Sequence, residues 1–209
     1  SVSVWRGKQT YDRGQQARAA SGEIFSHTLA RSVNIFLGLS VKAVETMARE
    51  AEVSPSLDVE QLQPLVTRFA AQNQSTYISM YIIGIDGKEI ADYFPSGVDE
   101  SDQLVGIGID LKDRSYVQRV LAEHKTVVSE TVIGRSTKRP VVVIAAPIFD
   151  AHGEVSAIAA GSLNLDALAG LAAQATAQES LRPIVVDKNG VVVVHHDPDL
   201  IAALTNFGN

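Results

Sequence analysis

"TYISMYIIGIDGKEIADYF", residues 76–94, decides the fold class. Apolar runs rich in β-branched and aromatic residues stand on either side of Asp86-Gly87. Asp-Gly between two such runs predicts a β-hairpin, because both residues tolerate the positive φ that a tight turn demands. What precedes it has another period. From about Asp12 to Glu52 there is no proline, and Phe25, Leu29, Val33, Phe36, Leu37, Val44 and Met47 recur every three or four positions. That spacing predicts one long amphipathic helix, on the order of 60 Å in length. Its first part (Arg13, Gln15, Gln16, Arg18, Glu23) is polar nearly all round, and is expected to project as a stalk or to pair with a second copy. "VSPS" at 53–56 ends it.

Asp58 followed by Gln61 has the spacing of a helix cap and its partner. Leu62, Leu65, Val66 and Phe69 supply the apolar face, and Pro64 is expected in the first turn, where a missing N–H is harmless. After the hairpin, a loop over 95–108 leads to "IDLKDRSYVQRVLAEH" at 109–124. Asp113 is expected to cap a short helix reaching Glu123. "TVVSETVI" (126–133), "RPVVVIAAPIF" (139–149) and "EVSAIAAGSLNL" (154–165) then read as three strands, and Asp166–Gln178 as a helix. The fold class is therefore α+β: a long N-terminal helix, then a five-stranded antiparallel sheet with flanking helices. "PIVVDKNGVVVVHHD" (183–197) repeats the logic of the first hairpin. It reads as the start of a second, incomplete copy of the module.

Composition narrows the function. The net charge of −6 argues against a nucleic-acid binder, which usually carries a basic face. With no cysteine there is neither a disulfide framework nor thiolate chemistry. The longest apolar run, Val141–Ile148, is of strand length and far short of the roughly 20 residues of a membrane helix. Val2, Val4 and Trp5 followed by Arg6 and Lys8 fit the interfacial end of a membrane span, or equally a frayed terminus. No phosphate loop, serine elbow or HExxH is present, so an enzyme is not expected; "GIGID" lacks the lysine of a phosphate loop. His195 and His196 are adjacent, so on a strand they point to opposite faces and cannot easily share a metal ion. Neither metal nor cofactor is expected.

Three stretches carry a family resemblance: "GIDLKDRSYVQRVL", "RPVVVIAAPIFDAHGEVSAIAAGSLNLDAL" and "VVDKNGVVVVHHDPDLI". Their order and spacing resemble the double Cache (dCache) extracytoplasmic sensor domains of bacterial receptors. The resemblance implies a PAS-like sheet and this division of the chain: a stalk helix over 1–56, a membrane-distal module over 57–165, a linker helix over 166–181, and the start of a membrane-proximal module over 182–209. It also implies a periplasmic or extracellular domain of a membrane-anchored receptor. The output, a histidine kinase, a diguanylate cyclase or a chemotaxis coil, would lie outside this chain.

In ligand-binding members of that family the Asp-x-Arg-x-aromatic stretch closes a pocket against the sheet. Carried over, Arg114 would hold a ligand carboxylate and Tyr116 would stack on the ligand or donate its hydroxyl. A guanidinium is always charged and pairs bidentately with carboxylates. The plainer alternative pairs Arg114 with Asp110 or Asp113 on the surface. Lys138, beside Arg139, would add positive charge, and Tyr81, Ser129 and Thr131 lie on strands that would face the pocket on one side, although alternation alone does not fix which. Asp110 completes the candidate set. Asn164 matches a position where amino-acid-sensing members carry an aspartate, and Val117 stands where they prefer a second aromatic. An amide does not neutralise a buried ammonium, so a small carboxylate or other polar metabolite is expected over an α-amino acid. A homodimer through the N-terminal helix is expected, without nucleic acid. The competing reading is a ligand-free module for dimerisation or for a partner protein.

Overall fold

The computed structural model describes residues 14–93, 106–176, 184–187, 189, 191–195 and 198–206. The proline-free stretch forms one helix, α1 (Gly14–Glu52). α2 (Val59–Gln72) begins at Asp58, whose carboxylate accepts the Gln61 N–H at 3.0 Å, so the cap stands where the spacing put it. Pro64 departs from expectation: it lies inside α2, beyond the first turn. The carbonyl it deprives, four residues back, belongs to Glu60, and both residues are exposed, so that oxygen is not left in a dry core.

β1 (Tyr77–Gly84) and β2 (Glu89–Tyr93) form the predicted hairpin. Gly87 adopts φ +86, and the Asp86 carboxylate accepts the Lys88 N–H at 3.1 Å. β3 (Val127–Ile133), β4 (Pro140–Phe149) and β5 (Val155–Leu163) complete a sheet of order β2-β1-β5-β4-β3, antiparallel throughout. The order explains the composition. β1, β5 and β4 are central and covered on both faces, so they read as nearly continuous apolar runs.

α2 covers β1 and β2 on one face. The C-terminal part of α1 is tied to the same sheet by three hydrogen bonds: the Tyr77 hydroxyl donates to Ser40 O at 2.6 Å, the Thr126 hydroxyl to Glu45 at 2.8 Å, and the Phe149 N–H to Glu52 at 3.2 Å. Met47, Leu62, Val66, Met80, Ile82, Ile144 and Ile148 are fully buried, and side chains of this size contribute about 1.5–3 kcal/mol each. Against the other face lie Tyr116, Val117 and Val120 of α3 (Ser115–Glu123), with Leu111; they meet Tyr81, Ile83, Val141, Val143, Ala145, Ile158 and Ala160.

The chain divides into two compact units, Leu39–Asn164 and Ser1–Gly38 with Leu165–Asn209. The first holds the sheet, α2 and α3. The second holds the rest of α1, α4 (Leu165–Thr176), a hairpin of β6 (Val185–Val186) and β7 (Val192–Val194), and α5 (Pro198–Ala202). α4 and α5 both pack on β7. The Asp187 carboxylate accepts the N–H groups of Asn189 and Val191 at 2.8 and 3.0 Å, as Asp86 does for Lys88. Among the described residues no helix is long and apolar enough to cross a membrane. The reading of Val2–Lys8 as an interfacial anchor lies outside the described residues, as do His196 and Asp197.

Candidate ligand-binding site

The candidate site is built on the face of the sheet that α3 covers. Tyr81 and Tyr116, which come from β1 and α3, meet there; their hydroxyls lie 3.5 Å apart, and both rings are almost wholly buried. Burial pushes both phenols upward. Arg114 and Arg135 pull Tyr116 down in part, while Glu89 pushes it up. The tyrosine pair therefore lies within electrostatic reach of two cations and of a carboxyl group.

Arg114 is the N-cap of α3, in extended conformation, and no side chain caps the helix. Asp113 does not take that role. Its carboxylate accepts from Arg135 at 2.6 Å, and this bond holds it below the usual carboxylate range. The guanidinium of Arg135 also donates to Asp110 O. The Asp110 carboxylate accepts the Lys112 N–H at 2.9 Å and shapes its own turn. Arg114 pairs with neither aspartate; it donates to Ile133 O at 2.9 Å.

The other expected residues have other surroundings. The Ser129 hydroxyl accepts the Val143 N–H at 2.8 Å and donates to Glu130 O at 2.6 Å, where a bulge interrupts the β3–β4 ladder. It replaces a missing ladder partner. Lys138 is exposed in the turn before β4, with φ +54. Asn164 lies one residue past β5, its N–H donating to Thr76 O at 2.8 Å. The last β5 side chain on the tyrosine face is Ser162, opposite Ser79 and bonded to Tyr81.

The sequence reading missed two acids. Glu89 and Asp92 on β2 are 4% and 1% exposed. Among the described residues neither Asp92 oxygen has a hydrogen-bond partner of ordinary geometry, and Glu89 Oε2 has none either. Burial raises Glu89 to about 9, with Asp92 adding to the rise, and raises Asp92 to about 7 against a weak opposing pull from the Tyr93 N–H. Strict alternation would send residues three apart to opposite faces. The register shifts between Ile82 and Ile83, however, so Asp92 stands opposite Tyr81 and Glu89 opposite Ile83. Both acids therefore share the tyrosine face. The carboxamide of Gln63 fixes Asp92 by its backbone, donating to Asp92 O at 2.7 Å and accepting the Asp92 N–H at 3.2 Å.

On the α1 side of the same unit an open groove of about 540 Å³ is lined by Glu45, Arg49, Glu52, His124, Lys125 and their neighbours. None of the residues singled out from the sequence lines it. No three metal-ligating side chains gather among the described residues.

A five-stranded antiparallel sheet of this order, with a long helix on one face and a polar cluster under a short helix on the other, is that of a PAS-like sensor module. The chain belongs to the Cache domain family: the double-Cache family model matches residues 14–209. It is thus a sensor module of a ligand-binding type rather than a catalytic one. Solved structures agree in fold. An extracellular ligand-binding receptor from Desulfohalobium retbaense superposes with TM-score 0.73 at 14% identity, over 86% of this chain and 32% of that one. The ligand-binding domain of the Pseudomonas aeruginosa amino acid chemoreceptor PctC, in complex with GABA, gives 0.69 at 18% identity, over 90% and 80%. That of the Campylobacter jejuni chemoreceptor Tlp3, in complex with L-valine, gives 0.68 at 10% identity, over 90% and 74%. No curated protein matches the chain by sequence.

These neighbours overturn the preference for a carboxylate over an α-amino acid, since similar domains hold L-serine, L-glutamine, L-valine and GABA. The preference weighed only positions 117 and 164, and it did not count the acids Glu89 and Asp92 on the tyrosine face. Val117 is wholly buried in the same core as Tyr81 and Tyr116, and Asn164 lies one residue past the end of β5.

Proposed function

We propose that this chain is the extracytoplasmic sensor of a membrane receptor, and that its unit of residues 39–164 binds a free amino acid or a close analogue on the tyrosine face. The observation that carries this reading is the cluster of Arg114, Tyr116 and Tyr81 at the uncapped start of α3. Arg114 takes the ligand carboxylate, helped by the N–H groups of the first helical turn, which attract anions. Tyr116 and Tyr81 flank the ligand with their rings and hydroxyls. Binding shifts the module's conformational equilibrium, and α1 passes the shift on as a small displacement. The output is a kinase, a cyclase or a chemotaxis coil.

Isothermal titration with a panel of L-amino acids and GABA tests this reading. At least one is expected to bind, and Arg114→Ala should weaken it by roughly ten- to a hundredfold, the worth of a charge-assisted contact. A binder that Arg114→Ala leaves unchanged would remove Arg114 from the site.

A further inference from the structure

We propose that Glu89 and Asp92 form the cation-recognising end of this site and take the ligand's primary ammonium group. The inference deepens the amino-acid reading and rests on it. Three observations carry it. First, two carboxyl groups are almost wholly buried on one face, and among the described residues three of their four oxygens have no partner of ordinary geometry. A buried carboxyl without partners is costly, and a cation brought by a ligand relieves that cost. Second, an independent element points the same way. Ser79 of β1 faces the same side, two residues before Tyr81 and opposite Ser162; the residue is 1% exposed, and its hydroxyl has no partner among the described residues. It can accept from the same group. Third, the geometry is held. Gln63 clamps the backbone of Asp92, and the ladder continues onto the 106–111 segment, where the Gly108 N–H donates to Glu89 O at 2.8 Å and the Glu89 N–H to Ile109 O at 3.0 Å. Gly106 passes directly over the two carboxyls, and a Cβ there would overlap Asp92 Oδ2 and Glu89 Oε2.

The arrangement suits a zwitterion. Arg114 stands at the start of α3 and bonds to the end of β3, whereas Glu89 and Asp92 stand on β2 opposite Ile83 and Tyr81; Tyr116 feels both charges. A ligand lying across the tyrosines meets positive charge at its carboxylate and negative charge at its ammonium. The two rings also attract a cation directly. The acidic pole thus comes from edge strand β2, while β5 presents the uncharged Ser162 to this face.

The test uses the whole chain and isothermal titration. The probes are the tightest-binding amino acid of the panel, its N-acetyl derivative, the corresponding decarboxylated amine, and calcium chloride. The variants are Glu89→Gln, Asp92→Asn and Arg114→Ala, with Asp92→Glu as the conservative control. The free amino acid should bind, N-acetylation should abolish binding, and each amide variant should weaken the complex by roughly ten- to a hundredfold. Asp92→Glu should restore part of the loss. The amides should be at least as heat-stable as the parent without ligand, so weaker binding cannot be put down to misfolding. If the amino acid binds and depends on Arg114 but the amides bind it equally well, this inference falls and the wider reading stands. If no amino acid binds but the amine does, dependent on Glu89 and Asp92, the acidic site stands without the wider reading. If neither binds, or if only calcium engages the pair, the inference is overturned.

Discussion

The Tyr77 hydroxyl donates to Ser40 O at 2.6 Å, and through this bond β1 holds α1. The ring packs against Gly161 of β5, where a Cβ would come within 2.5 Å of it. The small residue on β5 is thus required by the large one on β1. Burial also pushes the Tyr77 hydroxyl up, so it stays a donor at any physiological pH.

Tyr77→Phe should keep the fold and lose about 1 kcal/mol, the net value of one buried hydrogen bond. Gly161→Ala should cost more, about 1–3 kcal/mol, because the ring has to move within a packed layer. Urea denaturation of both variants checks the order, and a Gly161→Ala chain as stable as the parent would contradict it.

Ser129 separates ladder repair from ligand contact. Its hydroxyl serves the Val143 N–H at a bulge. Ser129→Ala should cost about 1–3 kcal/mol, since it leaves that buried N–H unpaired. Affinity for any amino acid bound at Arg114 should stay within about twofold, a difference of less than 1 kcal/mol. Unchanged stability with lost binding would put Ser129 in the site instead.

The pair Glu89 and Asp92 sets a pH dependence. Both are raised by burial, to about 9 and about 7. The groups facing them on this side are Tyr81 and Tyr116, both also raised and neutral. Between the ordinary carboxylate value and these raised values the folded chain keeps protons that the unfolded chain releases. Stability is therefore highest on the acid side and falls as pH rises, by at most about 1.4 kcal/mol per pH unit for each group in its window. The lowered groups Asp58, Asp113 and Asp150 act below this range. Urea midpoints should drop between about pH 5.5 and about pH 8.5, and Glu89→Gln and Asp92→Asn should each flatten the drop. A parent chain with a level profile would refute the burial account.

The sheet and helices were legible because their signals are local. Asp86-Gly87 between two apolar runs gives a hairpin wherever it stands, and the proline-free stretch of α1 has one reading. The site was legible only in part. Arg114 and Tyr116 stand out beside a helix start, but Asp113 looked like the cap because nothing local reveals Arg135, twenty-two residues on. Glu89 and Asp92 were hidden by a register shift. Alternation assigns them to opposite faces, and only the pairing with Ile83 and Tyr81 brings them together. Asn164 shows the converse limit: its parity matches Ser162, but β5 ends at Leu163, so alternation along the strand does not assign it a face. Bulges and strand ends are set by pairing partners distant in sequence, so one strand read alone does not show them.

The central claim is a zwitterion held between Arg114 and the Glu89–Asp92 pair. A crystal structure of the chain grown with its tightest-binding amino acid tests it most directly. The account predicts the ligand carboxylate on the Arg114 guanidinium, the ammonium within hydrogen-bonding distance of Asp92 or Glu89, and Tyr81 and Tyr116 alongside. A ligand seated in the groove by Glu45 and His124, or one with its ammonium turned away from both acids, would contradict it.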